Sequence, residues 1–205
     1  MQVTIIGSGN VATVLGRLFL QKGHQIVEVY SRNNLQASAL ATQLHANAIS
    51  DHGMLNKGSD LYLSAGTDDA VPALAGKLSF PGKLVLHTAG SVSKEVLKNV
   101  SDRYGVLWPM KMIRKSMNTL EPVTIVIDGS SEAVTGQVEQ LARLFSSSVA
   151  KADDILRIKM HMLAALTSNF TNHLYHLAAA DFLPEGLDFS FCYPLIEETA
   201  QLFSS

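Results

Sequence analysis

Near the amino terminus, the run Gly7-Ser8-Gly9-Asn10-Val11-Ala12 places two glycines two residues apart and a small residue three further on. Gly7 permits a tight turn, and Gly9 lets the main chain approach a pyrophosphate with no Cβ in the way. Ala12 is small enough for a helix to pack closely on a strand. A helix opening at this point would offer unpaired N–H groups and a partial positive charge to phosphate oxygens. About 20 residues on, a dinucleotide site that selects NAD carries a carboxylate for the ribose hydroxyls. Here Ser31 and Arg32 stand in that place. A carboxylate would repel a 2′-phosphate, whereas a hydroxyl and a guanidinium can bind one, so the pattern predicts NADP(H) over NAD(H).

Two further loops belong to the same edge if the flanking runs are parallel strands, because ligands bind outside the carboxyl ends of strands in open α/β sheets. They are Ala65-Gly66-Thr67-Asp68-Asp69 and His87-Thr88-Ala89-Gly90-Ser91. Gly66 and Gly90 allow close approach of the backbone to a cofactor. Asp69 reads more simply as the N-cap of a helix from Ala70 to Leu78. His87 ends an apolar run and is either a donor to substrate and nicotinamide or a satisfied structural residue. Trp108-Pro109-Met110-Lys111 is a substrate wall or a plain turn.

A third group lies on the long helical segment Ile155 to Phe182. At ~100° per residue, Leu163, Phe170, Leu174 and Leu177 share one face, and His161, Ser168, Asn169, Asn172 and His176 gather opposite. Solvated helix faces favour Lys and Glu, which are better helix formers than Asn or His. This face therefore reads as a cleft lining, a wet side, or a helix–helix interface held by amides. Lining a cleft, His161 would donate a proton to a carbonyl or imine, since imidazole titrates near neutrality, while Asn169 and Asn172 would orient the reacting group. The spacing of His173 and His176 is compatible with zinc, but no carboxylate or cysteine lies suitably on their face, so no metal is expected.

The elements that must position these groups alternate strand and helix. Val3–Ile6, Gln25–Tyr30, Leu61–Ala65, Leu84–His87, Tyr104–Leu107, Thr124–Ile127 and Ser148–Ala150 read as strands. Asn10–Gln21, Leu35–Leu44 and Ser131–Phe145 read as helices. This predicts an α/β fold with a doubly wound parallel sheet over residues 1–152. An all-helical domain follows over 153–205, with a second helix from about Asp188 to Phe203. That helix meets no stop signal, which suggests that the chain is truncated there.

Composition removes several alternatives. With 16 Lys+Arg against 18 Asp+Glu the formal net charge is −2, so no global basic field holds nucleic acid or an anionic membrane. The sole cysteine, Cys192, excludes an intrachain disulfide framework and a cysteine-rich zinc site. No secretory signal or apolar run of ~18 residues is present, which predicts a soluble cytoplasmic protein.

The glycine run and the Ser31-Arg32-Asn33 ending resemble the Rossmann-like reductases of the pyrroline-5-carboxylate reductase and 6-phosphogluconate dehydrogenase superfamily, in particular NADP oxidoreductases of the coenzyme deazaflavin-dependent type. His87-Thr88-Ala89-Gly90-Ser91, Ser168-Asn169-Phe170-Thr171-Asn172-His173-Leu174-Tyr175 and Pro194-Leu195-Ile196-Glu197-Glu198-Thr199 look like motifs of a subgroup that adds a helical domain of unknown function. The resemblance implies substrate and nicotinamide between the two parts, and a homodimer formed through the helices. The Lys-x-x-x-Asn spacing of the hydroxyacid and ketopantoate branches has no match here, and no residue argues for a deazaflavin. The reading is an NADPH-dependent oxidoreductase transferring hydride to a small carbonyl or imine. Gly7, Ser8, Gly9, Asn10, Val11, Ala12, Ser31, Arg32, Ala65, Gly66, Thr67 and His87 would hold the cofactor, and His161, Asn169 and His87 would be catalytic. The alternative is a non-catalytic NADP-binding sensor or assembly module.

Overall fold

The computed structural model describes residues 1–182, 186 and 188–202. They divide into two compact units, 1–161 and 162–205. In the first, eight strands form one sheet: β1 (Gln2–Ile6), β2 (Gln25–Tyr30), β3 (Asn47–Ile49), β4 (Leu61–Ser64), β5 (Leu84–His87), β6 (Arg103–Pro109), β7 (Ile125–Gly129) and β8 (Val149–Lys151). Their order is β3-β2-β1-β4-β5-β6-β7-β8, so the chain reverses its direction of travel across the sheet between β1 and β4. A doubly wound sheet opens a crevice at that switch point, outside the strand carboxyl ends.

Side chains alternate across the sheet, and both faces are covered. Val3, Ile5, Leu61, Leu63, Leu84 and Leu86 join one core with Val14, Leu15, Leu18 and Phe19 of α1 (Asn10–Gln21). Ile6, Tyr62 and Val85 join the other with Phe80, Leu97 and Val100. Trp108 and Val106 of β6 pack with Val126 and Ala152 in a third cluster. Helix α1 ends at Lys22 and Gly23 turns away with φ of 79°, a conformation that suits a residue without Cβ. Helix α2 (Asn34–Gln43) is capped by the Asn33 side chain, which accepts from the Gln36 N–H. Helix α3 covers Ala70–Ala75, and α4 (Glu132–Arg143) is capped by Ser131.

The sheet differs from the expected all-parallel form at one junction. β7 runs antiparallel to β6, because residues 110–124 connect them with no helix, and β8 then pairs parallel with β7 after the α4 crossover. The three-residue edge strand β3, of exposed and half-buried residues, has too short a pattern to be read from sequence. Asp69 does not cap α3 with its side chain.

Helix α5 (Asp154–Ala164) follows, with its residues up to His161 in the first unit. Beyond it the expected uninterrupted helix is broken by a π-helical stretch, Ala165–Phe170, before α6 (Thr171–Phe182). The wider turn slips the 100° register, so the polar and apolar sets are not two straight stripes. A 3₁₀ turn (Phe189–Cys192) leads into α7 (Tyr193–Gln201). The expected end of that last helix at Phe203 falls outside the described residues. Among those described, no helix is long and apolar enough to cross a membrane.

Candidate functional site

At the switch point lies a cleft of about 550 Å³. Its floor is the β1–α1 turn. Gly7 adopts φ of +125°, and a Cβ there would lie 2.6 Å from the Ala65 carbonyl oxygen, so only glycine lets the two strand ends approach this closely. Gly9 is the N-cap of α1, has no side chain to cap it, and faces open space. The orphan N–H groups of the first helical turn are thus left for an anion. Gly7 to Val11, Ser31, Arg32, Ala65, Gly66 and Thr67 all line the cleft. Ala12 does not: it is fully buried in the helix–strand core, the packing role its size suits.

Where a second ribose would sit, the Ser8 hydroxyl lies 2.9 Å from the Ser31 hydroxyl and 3.2 Å from Gln36 Oε1. Exposed Arg32 stands beside them, and no carboxylate lines the cleft among the described residues. Gln36, His52 and Lys77 also line the cleft, and sequence reasoning missed all three. They come from separate segments that only the sheet gathers. The residues fit a dinucleotide carrying a 2′-phosphate in volume, in free main-chain donors and in the sign of their charge.

Ile113, also missed, forms a wall of the cleft. The β6–β7 connection that carries it is tied to α1. Asn10 Nδ2 donates to the Ile113 carbonyl at 2.9 Å, and the Arg17 guanidinium donates to the carbonyls of Lys115 and Met117. Asn10 therefore uses its amide to shape the cleft.

Beside this cleft, the loop after β5 gathers a second group. His87 corrects the sequence reading: it is fully buried and does not line the cleft. Strand alternation turns it to the sheet face of Val85, and there burial, with the Arg157 cation second, pushes its pKa down to about 4. It is neutral at pH 7 and is no imidazolium donor. Its Nδ1 accepts from the Ala89 N–H at 3.2 Å, which leaves the ring proton on the buried Nε2. His161 near the end of α5 sits with its ring centroid 5.5 Å from that of Trp108. A Cβ on Gly90 would fall 2.6 Å from both His161 Nδ1 and Trp108 Cε2, so the glycine permits this three-way contact. His161 Nδ1 is buried and has no hydrogen-bond partner among the described residues.

In the second unit Asn169 lies in the π-helical stretch and Asn172 in α6, and both are exposed, as are Ser168, His173 and His176. Leu163, Phe170, Leu174 and Leu177 are exposed too. Among the described residues no three His, Cys, Asp or Glu side chains form a metal-binding group.

A Bacteroides fragilis protein assigned as an NADP oxidoreductase shares 33% sequence identity over 100% of this chain and 80% of its own, with a TM-score of 0.89. This chain belongs to the NADP oxidoreductase family. Within the oxidoreductase, residues 2–90 match the family model for NADP oxidoreductase, coenzyme F420-dependent, and residues 123–204 match a domain of unknown function, DUF2520. The first match contains the glycine turn, Ser31-Arg32 and the loop to Gly90, and the second contains Arg157, His161 and Asn169. The fold is shared at lower identity. An imine reductase from Pseudomonas sp. is 18% identical, covering 97% of this chain and 73% of its own, at a TM-score of 0.76. A reductive aminase from Aspergillus terreus, in complex with NADPH and ethyl-5-oxohexanoate, is 20% identical over 99% and 73%, at 0.70. No curated protein matches the chain.

Proposed function

We propose that this oxidoreductase binds NADPH in the β1–α1 cleft and reduces a small carbonyl or imine. The observation that carries the reading is the cleft itself: an uncapped helix start facing open space beside an arginine where NAD-selective sites place a carboxylate. When bound, NADPH supplies a hydride. The residues of the chain do the rest. Main-chain N–H groups of Gly9 to Val11 would hold the pyrophosphate, and Ser31 and Arg32 the 2′-phosphate. His161 is the proton donor of choice, since His87 is neutral and enclosed while the buried Nδ1 of His161 has no other engagement among the described residues. Asn169, on an exposed π-helical turn, would orient the reacting group, a use that such turns often serve. The exposed leucines of α5 and α6 favour a homodimer that covers them.

The test is NADPH consumption against a panel of keto acids and cyclic imines, with His161→Ala as control and light scattering for the dimer. Saturable turnover that falls about 100-fold or more in His161→Ala is expected. Tight NADPH binding with no turnover on any panel member, and full retention of the dimer in His161→Ala, would instead favour a non-catalytic NADP-binding sensor or assembly module.

A further inference from the structure

Among the described residues, Arg157 heads the large side chains with no solvent exposure. Arginine is almost never fully buried unless it is paired, and replacing a buried ion pair with well-packed apolar residues is often neutral or stabilising. Stability alone is therefore a poor reason for this residue, and its partners suggest another. Arg157 Nη2 donates to the Val92 carbonyl at 2.7 Å and to Asp154 Oδ1, and Nη1 lies 3.7 Å from Asp128 Oδ2. Asp154 in turn accepts from the Ser93 hydroxyl and from the Lys94 N–H at 3.1 Å. Burial pushes the Asp154 carboxyl up, but the hydrogen bonds from Ser93, Arg157 and Lys94 outweigh it and hold the carboxyl below its ordinary value. Lys94 Nζ closes the chain on Asp128 at 2.9 Å. Two positive and two negative groups thus balance: the Arg157–Asp154 bond lies within α5, while the others reach residues 92–94 or Asp128 of β7, the last as an ion pair in which Nη1 makes no hydrogen bond among the described residues.

That backbone continues from Gly90, on which His161 and Trp108 rest. Arg157 and His161 are four residues apart on α5, one helical turn, and so point to the same side. We propose that Arg157 is a positioning residue for the reduction: it ties the first turn of α5 to the loop after β5 and thereby seats the His161 ring against Gly90 and Trp108. A planar fork is needed because one guanidinium must reach a carbonyl and two carboxylates together, which a lysine ammonium on a flexible stem does not do. The proposal rests on His161 being the proton donor, but the seating itself is observable without turnover.

Trp108 is the only tryptophan of the chain, so its emission reports the His161 contact directly. The experiment compares wild type, His161→Ala, Arg157→Met and Arg157→Lys, each shown to be folded by circular dichroism. It records Trp108 emission, NADPH affinity by calorimetry, and kcat and KM on the best panel substrate. In Arg157→Met we expect Trp108 emission to move to that of His161→Ala. NADPH affinity should stay within about threefold, and kcat should fall about 10- to 100-fold with KM little changed, the cost of a misplaced group. Arg157→Lys is expected to keep part of the wild-type emission and rate. Wild-type emission and rate in a folded Arg157→Met variant would overturn the proposal. If that variant does not fold, Arg157→Lys decides: wild-type values on both readouts overturn it. Should wild type reduce no panel member, emission alone decides whether Arg157 seats the ring, and the proposed reaction fails separately.

Discussion

Reversing the charge at Arg32 tests the coenzyme assignment most directly. Arg32 is exposed at the end of β2 beside the Ser8–Ser31 pair, so its interactions belong to the weak, solvent-screened range. A charge-assisted hydrogen bond from guanidinium to phosphate contributes about 1.5–3 kcal/mol. Substituting glutamate removes that and adds repulsion from a group carrying roughly −1.5 to −2 charges. At ~4 Å this costs about 1 kcal/mol per unit charge in bulk water and more where the cleft wall excludes it. Discounted for the solvent screening of an exposed side chain, the sum is roughly 2–3 kcal/mol, or about 30- to 150-fold in NADPH affinity at ~1.4 kcal/mol per tenfold. NADH lacks the phosphate and should change by less than about threefold, because a carboxylate can accept from its ribose hydroxyls. Calorimetric titration of Arg32→Glu with both coenzymes at ~0.1 M ionic strength measures the gap, and repetition at ~1 M should narrow it as the Debye length falls from about 10 to 3 Å. Equal losses for the two coenzymes, or an undiminished affinity for NADPH, would refute the reasoning.

Two other outcomes follow from single residues. His87 titrates at about 4 in the folded protein against 6.5 for a free side chain, so the unfolded state binds its proton first and stability declines as pH drops from 6.5 towards 4. The full loss is about 3 kcal/mol. His87→Asn, whose Oδ1 can still accept from the Ala89 N–H, should flatten that limb in urea titrations between pH 4 and 7, and an unchanged slope would show that His87 is not its source. Gly7→Ala must place a Cβ 2.6 Å from the Ala65 oxygen at φ of +125°. Strain of about 2–3 kcal/mol should lower Tm by roughly 5–10 °C and weaken NADPH binding, and a variant unaltered in both would contradict the tight-turn account.

The sequence by itself determined the parts of this protein that depend on neighbours in the chain. Gly7 and Gly9 between Val3–Ile6 and the α1 pattern specify a turn and an open helix start, because backbone sterics act over two or three residues. The apolar runs of β4 and β5 specify strands buried on both faces, and Ser31-Arg32 specifies the charge at one end of the cleft. What the tertiary structure decided is which distant residues share a space. Ile113 reaches the cleft because Asn10 and Arg17 hold its loop, and nothing around residue 113 signals that contact across about a hundred positions. The antiparallel turn at β7 follows from how a helix-free connection of residues 110–124 lies over α1. The π-helical stretch breaks a periodicity that looked continuous from Ile155 to Phe182. His87 and Arg157 show the division most plainly. Residue type offered a proton donor in one and gave no hint of a buried clamp in the other, because burial and a neighbouring charge set what an ionisable group does.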